Sequence, residues 1–218
     1  FSSSASVYGA KYNESLKESF LNSPINPYGE TKNSIEKMLN NLYLSDNNWR
    51  IICLRYFNPI GAHSSGLIGE NSVSKIDNLF PSICEVAAGV KKELKIYGNK
   101  FSTKDGTCVR DFVHVMDIAE GHIEAIKFLI NSDGICTSIN LGTGKKTTVL
   151  ELIKIFEKVN KIKINYSFGL KRRGDPEILL ADVKKAKILI NWTSKRSLED
   201  MCLDGWRWYC SNINNSKK

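Results

Sequence analysis

Alternating strand-like and helix-like segments predict an α/β fold built on a parallel sheet. Three observations carry this. Residues 1–7, Phe-Ser-Ser-Ser-Ala-Ser-Val, suit a strand ending in small polar residues. A helix is predicted from Asn26 to about Tyr43. Asn26 is a plausible N-cap, Pro27 fits the first turn, and Tyr28, Ile35, Leu39 and Leu42 recur at helical spacing. Residues 49–57 form a mostly apolar run, the mark of a strand buried on both faces. Strand, helix and strand in this order make a βαβ unit, whose parallel strands are joined by a right-handed crossover.

The later segments continue the alternation. Residues 58–76 dissolve into Asn, Gly, Ser and Pro, a loop long enough to suggest function. Residues 77–90 read as helix, 93–97 as strand, and 101–111 as a polar, Gly-containing stretch. A helix is predicted at 116–131, with Ile118, Ile123, Ala125, Ile126 and Leu129 as apolar positions, and a strand at 135–141. Thr148 and Glu151 make a capping box for a helix to about 160. Residues 163–168 read as a short strand and 182–190 as a short helix. Ser197 caps a terminal helix whose packed face carries Trp206 and Trp208, and the polar tail from Asn212 is expected to fray.

The 218 residues are ample for a sizeable core, and the formal charge of +8 raises the question of nucleic acid. The basic residues are mostly scattered Lys, with no basic stripe interleaved with aromatics and no zinc-finger spacing. A solvated Lys-rich surface and a site for a doubly charged phosphate ligand are expected instead. The six cysteines form no C-x-x-C pair, and several lie in apolar runs, so buried free thiols are expected. No apolar run approaches membrane-spanning length. His63, His114 and His122 show no metal spacing, and His114 in its apolar run reads as a hydrogen-bonded, semi-buried histidine. Gly142-Thr143-Gly144-Lys145-Lys146-Thr147 fails the phosphate-loop pattern and reads as a strand-to-helix turn.

The candidate chemistry lies at Ser4, Tyr28 and Lys32. Tyr and Lys four apart on a helix share a face. A phenol beside an ammonium is a device for proton transfer. Ser4 ends a strand and Tyr28 starts the helix before the next one, so both reach the carboxyl edge of the sheet, where ligands bind.

Two segments, Ser2-Ser3-Ser4-Ala5-Ser6-Val7-Tyr8-Gly9 and Pro27-Tyr28-Gly29-Glu30-Thr31-Lys32, resemble the catalytic segments of the extended short-chain dehydrogenase/reductase family. Within that family, the runs Arg55 to His63 and Asp105 to Asp117 resemble the UDP-glucose 4-epimerases, and the likeness continues through Asn140 to Gly144 and Arg172 to Asp175. The resemblance implies a partial Rossmann-like doubly wound parallel sheet with a smaller α/β substrate-binding domain. Residues 1–60 would be the later part of the NAD-binding domain. Residues 61–218 would mainly bind the nucleotide sugar, with about 105–142 returning to the Rossmann sheet. It also implies a cytoplasmic homodimer with NAD as cofactor, to which Leu39, Leu42 and Tyr43 lend either a subunit contact or core packing.

By the same resemblance, Tyr28 exchanges the proton of the sugar 4-hydroxyl, Ser4 aligns that oxygen, and Lys32 stabilises the phenolate and holds the nicotinamide ribose. Phe57 lies near the nicotinamide or in the core, or both. Arg110 and Arg172 would grip the diphosphate, although a structural ion pair between Arg110 and Asp111 is an alternative. Asn58 and Asn78 would contact substrate, Leu79 and Tyr97 would line the uracil end, and Asp175 would meet the ribose. Arg173 is given no role. Leu179 stands where the bacterial type has a Tyr near the sugar, which would admit an N-acetylhexosamine or be a packing change only.

The G-x-x-G-x-x-G fingerprint for the dinucleotide is not in these residues and is expected upstream of Phe1. Residues 1–218 alone are therefore expected to be inactive and to bind NAD poorly. The rival enzymes are a UDP-pentose epimerase and a sugar-nucleotide dehydratase. The dehydratase needs an Asp–Glu pair that the loop Ala10-Lys11-Tyr12-Asn13-Glu14 does not have in place. A non-catalytic nucleotide-sugar-binding relative is the third alternative, against which Ser4, Tyr28 and Lys32 argue.

Overall fold

The computed structural model describes residues 1–71, 78–172 and 174–216; Arg173 and the part of the long loop at 72–77 lie outside the described residues. The chain is α/β. Its first strand, β1 (Ser2–Ser4), runs into a 3-10 turn (Ala5–Tyr8) that Ser4 caps through its side chain. Helix α1 (Pro27–Ser45) follows, and Asn26 caps it by accepting from the Gly29 amide at 2.7 Å. Strand β2 (Arg50–Tyr56) lies parallel to β1, with Ser4 opposite Tyr56. Strand β7 (Ile135–Leu141) completes a parallel sheet of order β1-β2-β7.

The strand period sorts β2 onto two faces. On one, Arg55 reaches Glu36 of α1. On the other, Ile52 and Leu54 join Ile118 and Ala125 of α3 (Val115–Ile130) in a core with Ile139 and Leu141. Helices thus cover both faces of a parallel sheet.

A second core gathers α2 (Leu79–Ala87), β4 (Leu94–Tyr97), α4 (Val149–Asn160) and α6 (Leu198–Ser216) around Phe80, Ile83, Ile96, Ile153, Phe156 and Met201. Thr148 and Glu151 form the expected capping box of α4. Short strands knit the chain between these cores. β3 (Asn58–Ile60) is parallel to β6 (Phe112–His114). β4 is parallel to β9 (Tyr166–Gly169). β5 (Val109–Arg110) sits between β10 (Ile178–Leu179) and β8 (Thr147–Thr148). Helix α5 (Lys184–Ile190) packs beside α3 and β7.

Several expectations are corrected. The first strand is shorter than 1–7, because Ser4 turns its side chain onto the Ser6 amide and starts the 3-10 turn. The helical spacing of α1 holds, and its buried residues are Gly29, Asn33 and Glu36, with Ile35, Leu39 and Tyr43 half-buried and Tyr28 and Leu42 exposed. The loop after residue 57 contains β3. His114 is fully buried rather than half-buried and caps α3 with its ring. Trp206 and Trp208 sit two residues apart and so face differently. Trp206 stacks on Tyr209 in the core, while the Trp208 indole donates to the Glu70 carbonyl. The last helix runs to Ser216, past the expected fraying point at Asn212.

The six cysteines are free, and Cys53, Cys84, Cys108 and Cys202 are buried. Burial pushes the thiols of Cys53 and Cys202 up to about 12, so these groups stay protonated at neutral pH. Among the described residues no helix is long and apolar enough to cross a membrane, and no group of three His, Cys, Asp or Glu side chains could hold a metal ion.

Candidate active site

Helix α1 packs against β1, with Lys32 on its first turns reaching the strand. Ser4 is buried at the strand end, where its Oγ accepts from the Ser6 amide and donates to Ser6 Oγ, both at 3.2 Å. Tyr28, just after Pro27, is 56% exposed and faces outward from the helix start. The Lys32 Nζ lies 5.6 Å from the Tyr28 ring centroid and 5.2 Å from that of Phe1. It donates to the Ser2 carbonyl at 2.9 Å. One ammonium hydrogen is used there, which leaves two for the hydroxyls of a ribose.

Tyr56, opposite Ser4, donates its hydroxyl to Ser2 Oγ at 2.7 Å and contacts His122 of α3. Burial raises the Tyr56 phenol above its usual range, against the hydrogen bond to Ser2. Phe57 is buried in the core with Ala5, Val7, Tyr8, Leu16 and Ala181.

The residues assigned to a nucleotide sugar fall into separate contacts: Arg110 with Asp175 and Leu179, and Arg172 with Tyr97. Arg110 is buried and donates to the carbonyls of Val109 and Pro176, each at 2.9 Å. Its second terminal nitrogen pairs with Asp175 at 2.9 Å. A guanidinium has five N–H donors, so donors remain for a diphosphate oxygen. Arg110 therefore pairs with Asp175 and not with its neighbour Asp111. Asp111 instead accepts from the Thr143 amide and hydroxyl, the Gly144 amide and the Ala181 amide. Burial pushes the Asp111 carboxyl above the usual range against those hydrogen bonds. The Gly142–Thr147 turn thus spends its Thr143 and Gly144 amides on a carboxylate of its own chain.

The Arg172 guanidinium stacks over the Tyr97 ring at 3.8 Å, so these two predicted residues are adjacent. Leu179 pairs with Arg110 across β10 and β5, and it packs against the cluster of Tyr8, Phe57 and Ala181. Asn58 donates its amide to the Asp111 carbonyl, and its side-chain Oδ1 is buried without a partner. Such an orphaned acceptor is costly unless a ligand or water serves it. Asn78 precedes α2 without capping it and donates to Glu70 at 3.4 Å, and Leu79 is half-buried against the second core.

Sequence reasoning missed Glu36 and Ser3. The Glu36 carboxylate accepts from Arg55 Nε at 2.9 Å and from the Arg55 terminal nitrogen at 2.6 Å. Ser3 Oγ donates to it at 2.5 Å. Burial works to raise the Glu36 carboxyl, but the hydrogen bonds and charge of Arg55, with Ser3 and Asn22, hold it below the usual range. The available signal was a Glu one turn beyond Lys32 with an Arg on the following apolar strand.

The sequence model of the family described as GDP-mannose 4,6 dehydratase matches residues 1–204. The UDP-glucose 4-epimerase of Bacillus subtilis (strain 168) is 47% identical over 217 residues, which is 100% of this chain and 64% of that protein. The structure of a UDP-glucose 4-epimerase from Stenotrophomonas maltophila with bound NAD and formylated UDP-arabinopyranose superposes with a TM-score of 0.95 at 39% identity, covering 99% of this chain and 64% of that one. The Bifidobacterium longum UDP-glucose 4-epimerase in complex with NAD+ and UDP gives a TM-score of 0.92 at 39% identity, over 98% of this chain and 64% of that one. The chain thus spans a little under two thirds of the length of the relatives it matches. With the α/β architecture and the family match over nearly all of its residues, the chain belongs to the GDP-mannose 4,6-dehydratase family of extended short-chain dehydrogenases/reductases.

Proposed function

We propose that the full-length protein containing this chain is an NAD-dependent UDP-glucose 4-epimerase. The observation that carries the reading is the Lys32 ammonium beside the Tyr28 ring on the first turns of α1, hydrogen-bonded to the Ser2 carbonyl of the strand that ends at Ser4. The similarity to epimerases seen with NAD and with UDP supports the same assignment. The loop Ala10–Glu14, without an Asp–Glu pair in place, argues against the dehydration that the family's description names.

NAD, held in part by Lys32 with Phe57 behind it, would supply hydride acceptance from sugar C4 and its return to the opposite face. The chain supplies the rest. Tyr28 takes the proton of the 4-hydroxyl and gives it back after the 4-keto sugar has turned. Ser4 donates a hydrogen bond to the oxygen at C4. Lys32 favours the phenolate by its charge, and its remaining N–H donors suit the nicotinamide ribose. Arg110 and Arg172 hold the diphosphate, Tyr97 and Leu79 flank the uracil, and Asp175 meets its ribose while orienting Arg110. Asn58, with its orphaned Oδ1, and Asn78 serve the substrate, and Phe57 backs the nicotinamide from the core.

Residues 1–60 belong on this reading to the NAD-binding domain. Residues 61–218 belong mainly to the nucleotide-sugar domain, with about 105–142 returning to the sheet. The reading extends to a cytoplasmic homodimer in galactose metabolism. Full-length protein incubated with UDP-glucose will yield UDP-galactose with no net oxidation, read by proton NMR of the anomeric signals. A 4-keto, 6-deoxy product would show a dehydratase instead.

One observation favours a wider substrate range. Leu179, an aliphatic side chain beside Arg110, leaves more room for a 2-acetamido group than an aromatic would. UDP-N-acetylglucosamine is then turned over too, and Leu179→Tyr lowers its kcat/KM about 10-fold or more relative to UDP-glucose, the size of a steric penalty in a pocket. No turnover of the N-acetyl sugar by the parent protein would remove this extension.

A further inference from the structure

We propose that Glu36, Arg55 and Ser3 form a positioning clamp that sets Tyr28 and Lys32 against Ser4; the proposal deepens the epimerase reading and rests on it. The fully buried face of α1 is small and polar. Its buried residues are Gly29, Asn33 and Glu36, with no large apolar side chain among them. Tyr28, Met38, Leu42 and Leu44 are exposed. Ile35, Leu39 and Tyr43 are only half-buried, so apolar packing alone does not define one position of this helix along the sheet. Polar contacts and one close backbone approach do so instead.

Glu36 lies one turn beyond Lys32 and two turns beyond Tyr28, on the same stripe of the helix. Its carboxylate takes the two-pronged Arg55 guanidinium from β2 and the Ser3 hydroxyl from β1. Both ions are buried, at 8% and 4% exposure. Arg55 in turn lies 4.8 Å beneath the Tyr8 ring, whose hydroxyl donates to Asn140 Oδ1 at 2.7 Å. A planar fork on a carboxylate has little angular freedom, so it defines one position of α1 over β2.

The strand is held residue by residue. Lys32 bonds the Ser2 carbonyl, Glu36 bonds the Ser3 hydroxyl, and Ser4 follows at once. On the far side of Lys32, Gly29 approaches the Ser6 carbonyl so closely that a Cβ would meet it at 2.6 Å. The helix is thus pinned at two points that bracket Lys32, and both pins attach to the chain on either side of Ser4. A buried ion pair is a weak source of net stability but a sharp source of geometry. Its value here is the fixed spacing of hydroxyl, phenol and ammonium, to which proton transfer is sensitive at the ångström scale.

The test uses the full-length protein and two variants, Ser3→Ala and the double Glu36→Leu/Arg55→Met. The double variant removes both ions for apolar groups of similar size, a change that commonly preserves folding. Three readouts are taken: kcat and KM for UDP-glucose, calorimetric UDP binding, and amide hydrogen exchange at residues 2–4 and 28–36. The clamp predicts that kcat falls roughly 10-fold in Ser3→Ala and about 100-fold in the double variant. UDP affinity should stay within twofold, while exchange quickens in those two segments alone. A folded double variant with kcat within twofold of the parent overturns the clamp and leaves the epimerase reading standing. If the double variant does not fold, Ser3→Ala decides by the same criteria. If the parent itself shows no turnover, the epimerase reading fails and exchange alone decides: unchanged exchange at 28–36 overturns the clamp, and quickened exchange supports the tie.

Discussion

Gly29 packs its α-carbon against the carbonyl of Ser6, leaving no room for a side chain between helix and strand end. In an isolated helix, Gly29→Ala would gain about 1 kcal/mol of propensity. Here the methyl meets a backbone oxygen, which cannot swing aside as a side chain does. Helix α1 must shift, and the expected outcome is net destabilisation of about 1–3 kcal/mol, with lower kcat. Thermal unfolding and steady-state kinetics check both. A stabilised, fully active variant would show that the close approach does not matter.

Arg110 and Asp175 form an ion pair at 2.9 Å, which on the proposed reading orients the guanidinium toward the diphosphate. Asp175→Asn removes the charge that aims the guanidinium while keeping the shape. The charged hydrogen bond is worth about 1.5–3 kcal/mol, so UDP should bind roughly 10-fold more weakly or worse. Loss of uniform binding raises KM and leaves kcat nearly unchanged. Calorimetry with UDP and initial rates with UDP-glucose measure the two separately.

Buried His114 gives folding a definite pH dependence. Burial lowers its pKa below 6.5, against the pull of its hydrogen bond to Asp204. His122 is lowered by burial as well. The unfolded chain therefore binds more protons than the folded one as pH drops below that value. Stability is fully present above pH 6.5 and is lost as pH falls towards the folded-state pKa values. Urea unfolding between pH 7.5 and 5.5 should show this decline, and His114→Gln should flatten it. An unchanged slope in the variant would assign the decline to other groups.

The βαβ unit was legible because its signals are local. Asn26 and Pro27 start α1, and an apolar run marks β2. The Thr148–Glu151 box was legible for the same reason. The trio Ser4, Tyr28 and Lys32 could be read because its spacing lies on one strand–helix unit. What stayed hidden depends on pairing between distant segments. Nothing near Arg110 in sequence says that it turns to Asp175 rather than Asp111, since that choice follows from the β10–β5 register. The buried face of α1 stayed open in the sequence because polar partners from β1 and β2 cover Asn33 and Glu36, while Leu39 and Tyr43 are half-buried and Leu42 is exposed.

The most direct measurement of the central claim is the rate at which full-length Tyr28→Phe interconverts UDP-glucose and UDP-galactose, compared with the parent protein at equal UDP affinity. Removing the one hydroxyl should lower kcat roughly 100- to 10,000-fold, the span of a positioned acid–base group, with UDP binding unaltered. Parent-like turnover by this variant would contradict the role of Tyr28 and with it the account of the site.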